Sequence, residues 1–301
     1  MKNPSKKIKL SLSLLFLFCS GTGSHSKAEI SPSIDNSTRT KLNGSLINSC
    51  ISGFCNISGG NDVGKNKFHS FRNFDTRGEI QGVNVQTDGQ KNLIFGVTST
   101  SGTFLNKQVI LSKPANLFIL SPGGINLGKG VGFINTSNLH LSTKEQLSFP
   151  GSNYNIYNPR KQLNLLDSDP LFLGYEDQFD IFSISKKTGN KSPEISLNGI
   201  HISIDKDLFL DSPDGDIKIR KTNINSLNNG TITFNAKKTY IYGNSFLQAK
   251  ELVMKKNNII FKNYIYIPKG KLLIDESNFT NQKISFREVT PENQLNNFFE
   301  N

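Results

Sequence analysis

From about residue 50 onward, apolar side chains return at every second position in runs of only three to five residues, each closed by Gly, Asn, Asp or Pro. Ile200-His201-Ile202-Ser203-Ile204, Ile217-Lys218-Ile219, Ile232-Thr233-Phe234, Tyr240-Ile241-Tyr242 and Tyr264-Ile265-Tyr266-Ile267 all read this way. A period of two means strands with one buried face, and no stretch of useful length carries the 3.6-residue period of an amphipathic helix. The chain is therefore expected to be all-β. Its 301 residues, 35% of them hydrophobic, suffice for a substantial core without metal or disulfide staples.

The runs recur at intervals of roughly 7 to 15 residues, which suits a sandwich with tight hairpins or a solenoid with two or three short strands per coil. Hairpins advertise themselves with two-residue Asn-Gly turns between paired alternations. Here the links are uneven and the strands very short, so the stretch from Gly199 to Phe279 fits a right-handed parallel β-helix better. In such a coil the β-branched and aromatic side chains point inward, and Asn side chains at the corners can stack and hydrogen-bond from coil to coil.

The first residues read as a targeting signal. Lys2, Lys6, Lys7 and Lys9 precede an apolar run from Leu10 to Cys19, and a polar stretch ends in Ser26-Lys27-Ala28. That order matches a secretory leader cleaved before Glu29, and the run is well short of the roughly 20 residues that span a bilayer. Without residues 1–28 the chain loses five lysines and keeps 30 basic against 24 acidic residues, so the formal charge falls from +11 to +6. No nucleic-acid motif accompanies that charge, and a solvated mixed-charge surface accounts for it. Beyond the leader only Cys50 and Cys55 remain. In an oxidising compartment they are expected to close a small structural disulfide; their spacing is not that of a redox CxxC, and no second pair completes a zinc site.

Catalytic signatures are missing. His69, His140 and His201 are isolated, without HExxH or His-x3–5-His spacing, and the chain contains no GxSxG elbow, P-loop or GxGxxG. His69, between Phe68 and Phe71, is expected to hydrogen-bond within an N-terminal cap. The acidic group Asp205, Asp207, Asp211, Asp214 and Asp216 is the best chemical candidate, for Ca²⁺ or for paired carboxylates acting on polysaccharides. Yet Asp211-Ser212-Pro213-Asp214-Gly215-Asp216 has turn composition, and Asp205 and Asp207 alternate outward from a strand whose Ile202 and Ile204 point inward. Turn plus solvated face is the favoured reading, with no metal and no cofactor. Tyr240, Tyr242, Tyr264 and Tyr266 could form an outward stripe for sugar stacking, although core or edge packing is the commoner use of strand tyrosines.

Three segments then carry a resemblance: Lys-Phe-His-Ser-Phe-Arg-Asn-Phe from Lys67 to Phe74, Asn-Leu-Phe-Ile-Leu-Ser-Pro-Gly-Gly-Ile from Asn116 to Ile125, and Gly-Phe-Ile-Asn-Thr-Ser-Asn-Leu-His-Leu-Ser-Thr from Gly132 to Thr143. In this order and spacing they resemble the filamentous-haemagglutinin N-terminal domain, the secretion domain of two-partner secretion exoproteins, over roughly Ile51 to Thr143. The resemblance implies a right-handed parallel β-helix with an N-terminal cap, recognised in the periplasm by a partner β-barrel transporter of the outer membrane. It also implies that Phe68, His69, Phe71 and Phe74 form the cap-and-first-coil motif, and that Ser121, Pro122, Gly123, Gly124 and Ile125 occupy the place of an Asn-Pro-Asn-Gly-like turn. Both asparagines of that turn are replaced here, by Ser121 and Gly123, and Leu127 and Val131 stand where some members carry a cysteine pair.

The organisation expected from these readings is a signal peptide at 1–28, a haemagglutinin-like secretion domain at 29–160, continuing coils at 161–290 and a tail at 291–301. The expected function is that of a non-enzymatic exoprotein, secreted or displayed at the cell surface by way of the periplasm, adhesive, with a cell-surface carbohydrate or protein receptor. The competing reading is a secreted polysaccharide lyase or hydrolase on the same scaffold. It requires carboxylates such as Asp205, Asp207, Asp214 and Glu194 to converge on one groove.

Overall fold

The structure, a computed structural model, describes residues 28–161, 163–171, 192–243, 245–255, 258–261, 271–275 and 278–279. The expected leader as far as Lys27, the tail at 291–301 and the pair Tyr264 and Tyr266 lie outside those residues. Twenty-three strands run through them, and the only helical element described is a 3-10 turn at Leu163–Leu165. No described helix is long and apolar enough to cross a membrane.

The strands wind into a parallel β-solenoid of about eight turns with three walls. Strands β1 (Ile30–Pro32), β2 (Thr40–Leu42), β3 (Ser52–Gly59), β4 (Asn61–Val63) and β5 (Asn66–Asp75) build the first turn. Here β1 and β4 pair antiparallel with β5, and β2 pairs antiparallel with β3. The next turns comprise β6 (Glu79–Val85), β7 (Asn92–Val97) and β8 (Thr103–Leu105), then β9 (Gln108–Leu120) and β10 (Ile125–Leu127), then β11 (Gly132–Ser142). After β11 the chain leaves the solenoid, forms the antiparallel hairpin β12 (Gln146–Phe149) and β13 (Ser152–Asn155), and returns at β14 (Glu194–Asn198). The remaining turns hold β15 (His201–Ile204) with β16 (Leu208–Arg220), β17 (Asn223–Ser226) with β18 (Thr231–Tyr242), then β19 (Phe246–Gln248), β20 (Glu251–Lys255) and β21 (Asn258–Phe261), and finally β22 (Lys271–Asp275) and β23 (Asn278–Phe279).

The first wall runs β3, β6, then the opening halves of β9 and β11, with β15, β17 and β19 beyond. The second runs β5, β7, the second halves of β9 and β11, the first halves of β16 and β18, then β20 and β22. The third runs from the end of β5 through β8, β10 and β14 to the second halves of β16 and β18, then β21 and β23. The boundary expected at 160/161 falls inside the excursion between β11 and β14, and the walls continue on both sides of it.

In-register parallel pairing places equivalent side chains over one another about 4.8 Å apart. On the second wall one inward column reads Lys67, Leu93, Leu117, Leu139, Leu208, Ile232, Leu252, and the next reads His69, Phe95, Ile119, Leu141, Leu210, Phe234, Met254. All fourteen are buried. Both columns are apolar except at the first turn, where Lys67 and His69 end them. Fully burying an aliphatic or aromatic member contributes about 1.5–3 kcal/mol, so the columns rather than any single bond hold the rod.

A corner ladder of carboxamides ties the turns together. Asn92 Nδ2 donates to Asn66 Oδ1 at 2.8 Å, Asn116 Nδ2 to Asn92 Oδ1 at 2.8 Å and Asn138 Nδ2 to Asn116 Oδ1 at 2.7 Å. The Asp207 amide then donates to Asn138 Oδ1, and the Thr231 amide to Asp207 Oδ1. A second, exposed ladder links Asn84, Asn56 and Asn43 on the first wall. The bonds of the first ladder satisfy buried or half-buried amides where the chain bends away from its strand partners.

The excursion makes a second core outside the solenoid. Outward-facing Phe68, Ile94, Phe118 and Leu120 are covered by Leu147, Phe149, Tyr154, Ile156 and Leu166. Phe68 lies 4.8 Å from the Tyr154 ring and 6.2 Å from Phe149. Asn66 Nδ2 fixes the far end by donating to the Leu166 and Ser168 carbonyls at 2.6 and 2.7 Å. Gly96 is required beneath it, because a Cβ there would stand 2.9 Å from Ile156.

Candidate functional site

The first-turn motif divides between two cores. Phe68 faces out into the core under the hairpin, whereas His69, Phe71 and Phe74 face into the solenoid, and all four are fully buried. Phe71, Phe74 and Phe95 form a triad of edge-to-face rings with centroids 4.9, 5.1 and 5.7 Å apart. His69 Nδ1 lies 3.3 Å from Thr40 Oγ1 of β2, and its Nε2 has no hydrogen-bond partner among the described residues. Burial, reinforced by the Lys67 charge and only partly offset by Asp88, pulls the imidazole from 6.5 down to about 3.

Lys67 was not singled out by its sequence context, yet it is almost fully buried beside His69. Its stem occupies an apolar column while the ammonium reaches out to Asp62 and Asp88, 2.8 Å from each, and to the Gly59 carbonyl at 3.0 Å. Burial alone would lower its pKa, but those hydrogen bonds and the two carboxylate charges hold it above the usual value.

The turn Ser121–Gly124 joins the second wall to the third. The Gly124 amide donates to the Ser121 carbonyl at 2.9 Å, and Ser121 Oγ donates to the Gly124 carbonyl at 3.0 Å. Gly124 adopts φ +103, as a glycine can, whereas Gly123 does not have positive φ. Gly123 is needed for another reason: a Cβ would stand 2.3 Å from the Ser99 carbonyl oxygen in the preceding turn. Ile125 points inward in the Phe74 column with Thr103 between them, so the two expected recognition segments meet at that column. Ser121 is buried and Pro122 half-buried.

Cys50 and Cys55 are joined by a disulfide with Cα atoms 5.7 Å apart, both sulfurs in the first-turn core.

The acidic residues scatter. Glu194 and Asp216 face out from the third wall, Asp214 is exposed at the bend before it, and Asp205 and Asp207 stand at the opposite corner. Two expectations need correcting. Asp205 and Asp207 are corner rungs rather than freely solvated groups, accepting bonds from Asn228 and from the Thr231 amide. Asp211 is 1% exposed and belongs to a strand that continues through the bend. Burial opposes its charge, but Lys144, His140 and Asn235 together hold the carboxyl below its usual range. Of these carboxylates, only Glu194 and Asp216 are register neighbours, and no group of His, Cys, Asp or Glu among the described residues could hold a metal ion. A recess of about 330 Å³ is lined by Lys91, Pro114, Ala115, Asn116, Ser137, Asn138 and Lys206. Its two amides are committed to the corner ladder and Lys91 to Asp169.

No protein-family model matches this chain, and no curated protein is detectably similar to it.

Tyr240 and Tyr242 both point outward from β18, half-buried and outside either core. Beside them on the third wall stand Lys218 and Arg220 of β16 and Ser196 and Asn198 of β14. Lys218 is paired with Glu194, and the Arg220 guanidinium lies 5.9 Å from the Tyr242 ring centroid.

Proposed function

We propose that this chain is an exoprotein carried through the periplasm and across the outer membrane by a two-partner β-barrel transporter, and that it acts outside the cell by adhesion rather than catalysis. The observation that carries the reading is the solenoid itself, in which every turn is templated by the one before it. An outer membrane offers no ATP, so turns that close outside and cannot slide back through a narrow pore would supply the bias for export. The antiparallel strands β1, β2 and β4 serve as a cap for the first turn. Since Phe68, His69, Phe71, Phe74 and Ile125 are buried once the turns close, the transporter reads them before closure, in the extended chain. The small Cys50–Cys55 loop is tolerable in transit.

The test is a C-terminally tagged full chain expressed with and without a candidate transporter. A tagged product in the medium beginning at Glu29 only when the transporter is present is the expected result. Equal distribution in its absence would overturn the route.

A further inference from the structure

We infer that the outer surface of the third wall across β14, β16 and β18 binds an anionic polysaccharide, with Tyr240 and Tyr242 as platforms for sugar rings and Arg220 as the anchor for a carboxylate or sulfate. The inference rests on the adhesion reading and names its ligand class and surface.

Strand register fixes the geometry. Ile217, Ile219 and Ile241 fill the core, so Lys218, Arg220, Tyr240 and Tyr242 must all project outward. Two tyrosines two residues apart on one strand sit about 7 Å apart, and neighbouring turns offer side chains about 4.8 Å away. The result is a flat surface that presents ring faces and hydrogen-bonding groups together, which suits a pyranose with an apolar face and a rim of hydroxyls.

The polar groups here are uncommitted. Across the solenoid, Asn66, Asn92, Asn116 and Asn138 are bonded to one another. On the third wall the side chains of Ser196, Asn198, Tyr240 and Tyr242 make no hydrogen bond among the described residues, nor does Arg220 have an ion-pair partner there. The same surface carries more positive than negative charge. Glu194 and Asp216 share their edge row with Lys238, and Glu194 is paired with Lys218. The opposite edge carries Arg220 and then Lys221, with no carboxylate in the rows between, which selects an anionic substituent. A protein partner would call for an apolar centre, and none of the exposed large hydrophobic side chains among the described residues lies on β14, β16 or β18.

The test uses the purified full chain in affinity electrophoresis through gels containing polygalacturonate, heparin or neutral dextran. Retardation by at least one of the acidic polymers and none by dextran is expected, and which of the two acts separates carboxylate from sulfate recognition. Arg220→Gln should weaken binding at least tenfold, and Tyr242→Ala similarly with an unchanged circular-dichroism spectrum. Lys41→Gln with Lys113→Gln, which removes more charge elsewhere, should leave binding unchanged. Should Tyr242→Ala fail to fold, the exposed Arg220→Gln decides alone. Absence of retardation by either acidic polymer, equal retardation by dextran, or an equal loss in the double lysine variant would overturn the inference. A protein that is exported and adheres without binding any polymer would sink this surface alone. Polymer binding by a chain whose distribution ignores the transporter would sink the export reading and leave the surface standing.

Discussion

Replacing His69 with glutamine should remove a specific part of the acid sensitivity of this protein. The folded imidazole titrates at about 3 and the unfolded one near 6.5, so between those values the unfolded chain takes up a proton that the folded chain refuses. Stability is therefore whole above about pH 6.5 and falls as pH drops, by about 1.4 kcal/mol per pH unit, levelling near pH 3. At pH 5 the loss amounts to about 2 kcal/mol relative to pH 8, and the full interval to about 4–5 kcal/mol. The groups facing the ring are Lys67, Asp88 and the Thr40 hydroxyl, with Asp62 behind Lys67. Other carboxylates with lowered values, Glu29, Asp35, Asp169 and Asp211, also lose stability in acid, so the reading is the difference between wild type and His69→Gln. Urea unfolding followed by far-ultraviolet circular dichroism at pH 8, 6, 5 and 4 measures it, with hydrogen exchange of the β5 and β7 amides locating the change. Parallel stability curves for the two proteins from pH 8 to pH 4 would refute the reasoning.

Four further outcomes follow from the stacking of the turns. Asn92→Ala breaks rungs on both sides, leaving the Asn66 carbonyl oxygen and the Asn116 amide unpaired, and should cost about 2–3 kcal/mol in urea unfolding. Asn126→Ala on the third wall should change little by the same measurement. Gly123→Ala forces a methyl within 2.3 Å of the Ser99 carbonyl oxygen; a loss of at least about 2 kcal/mol in the same assay is expected. Lys221 adopts φ 49 at a corner where the neighbouring turns place Gly199 at φ 65 and Gly243 at φ 71. Lys221→Gly should therefore raise stability by about 0.5–1 kcal/mol in thermal melts.

Period-two alternation was legible because it is local: Ile202 and Ile204 point inward as expected, and the corner asparagines form the anticipated ladder. The excursion was not. Leu147, Phe149 and Tyr154 alternate like any strand pair, and nothing local reveals that they cover the outside of earlier turns rather than the inside of a new one. Asp211 misled because its Pro-Asp-Gly surroundings have turn composition, whereas the strand continues through a register shift between Ser212 and Asp216. Lys67 escaped notice because its burial depends on Asp62 and on Asp88, the latter contributed by the following turn. In the aromatic motif, sequence order alone could not divide Phe68 from Phe71 and Phe74 between two cores.

The hairpin and Leu166 lie later in the chain than the stripe they shield, which imposes a schedule. When synthesis or passage through a pore proceeds from the N-terminus, Phe68, Ile94, Phe118 and Leu120 form a continuous greasy strip from about residue 120 until residues 147–166 arrive. During that window the half-made rod is vulnerable to self-association. Whatever escorts it has that side to shield as well as the open end of the rod, where the strands of the last turn still lack partners.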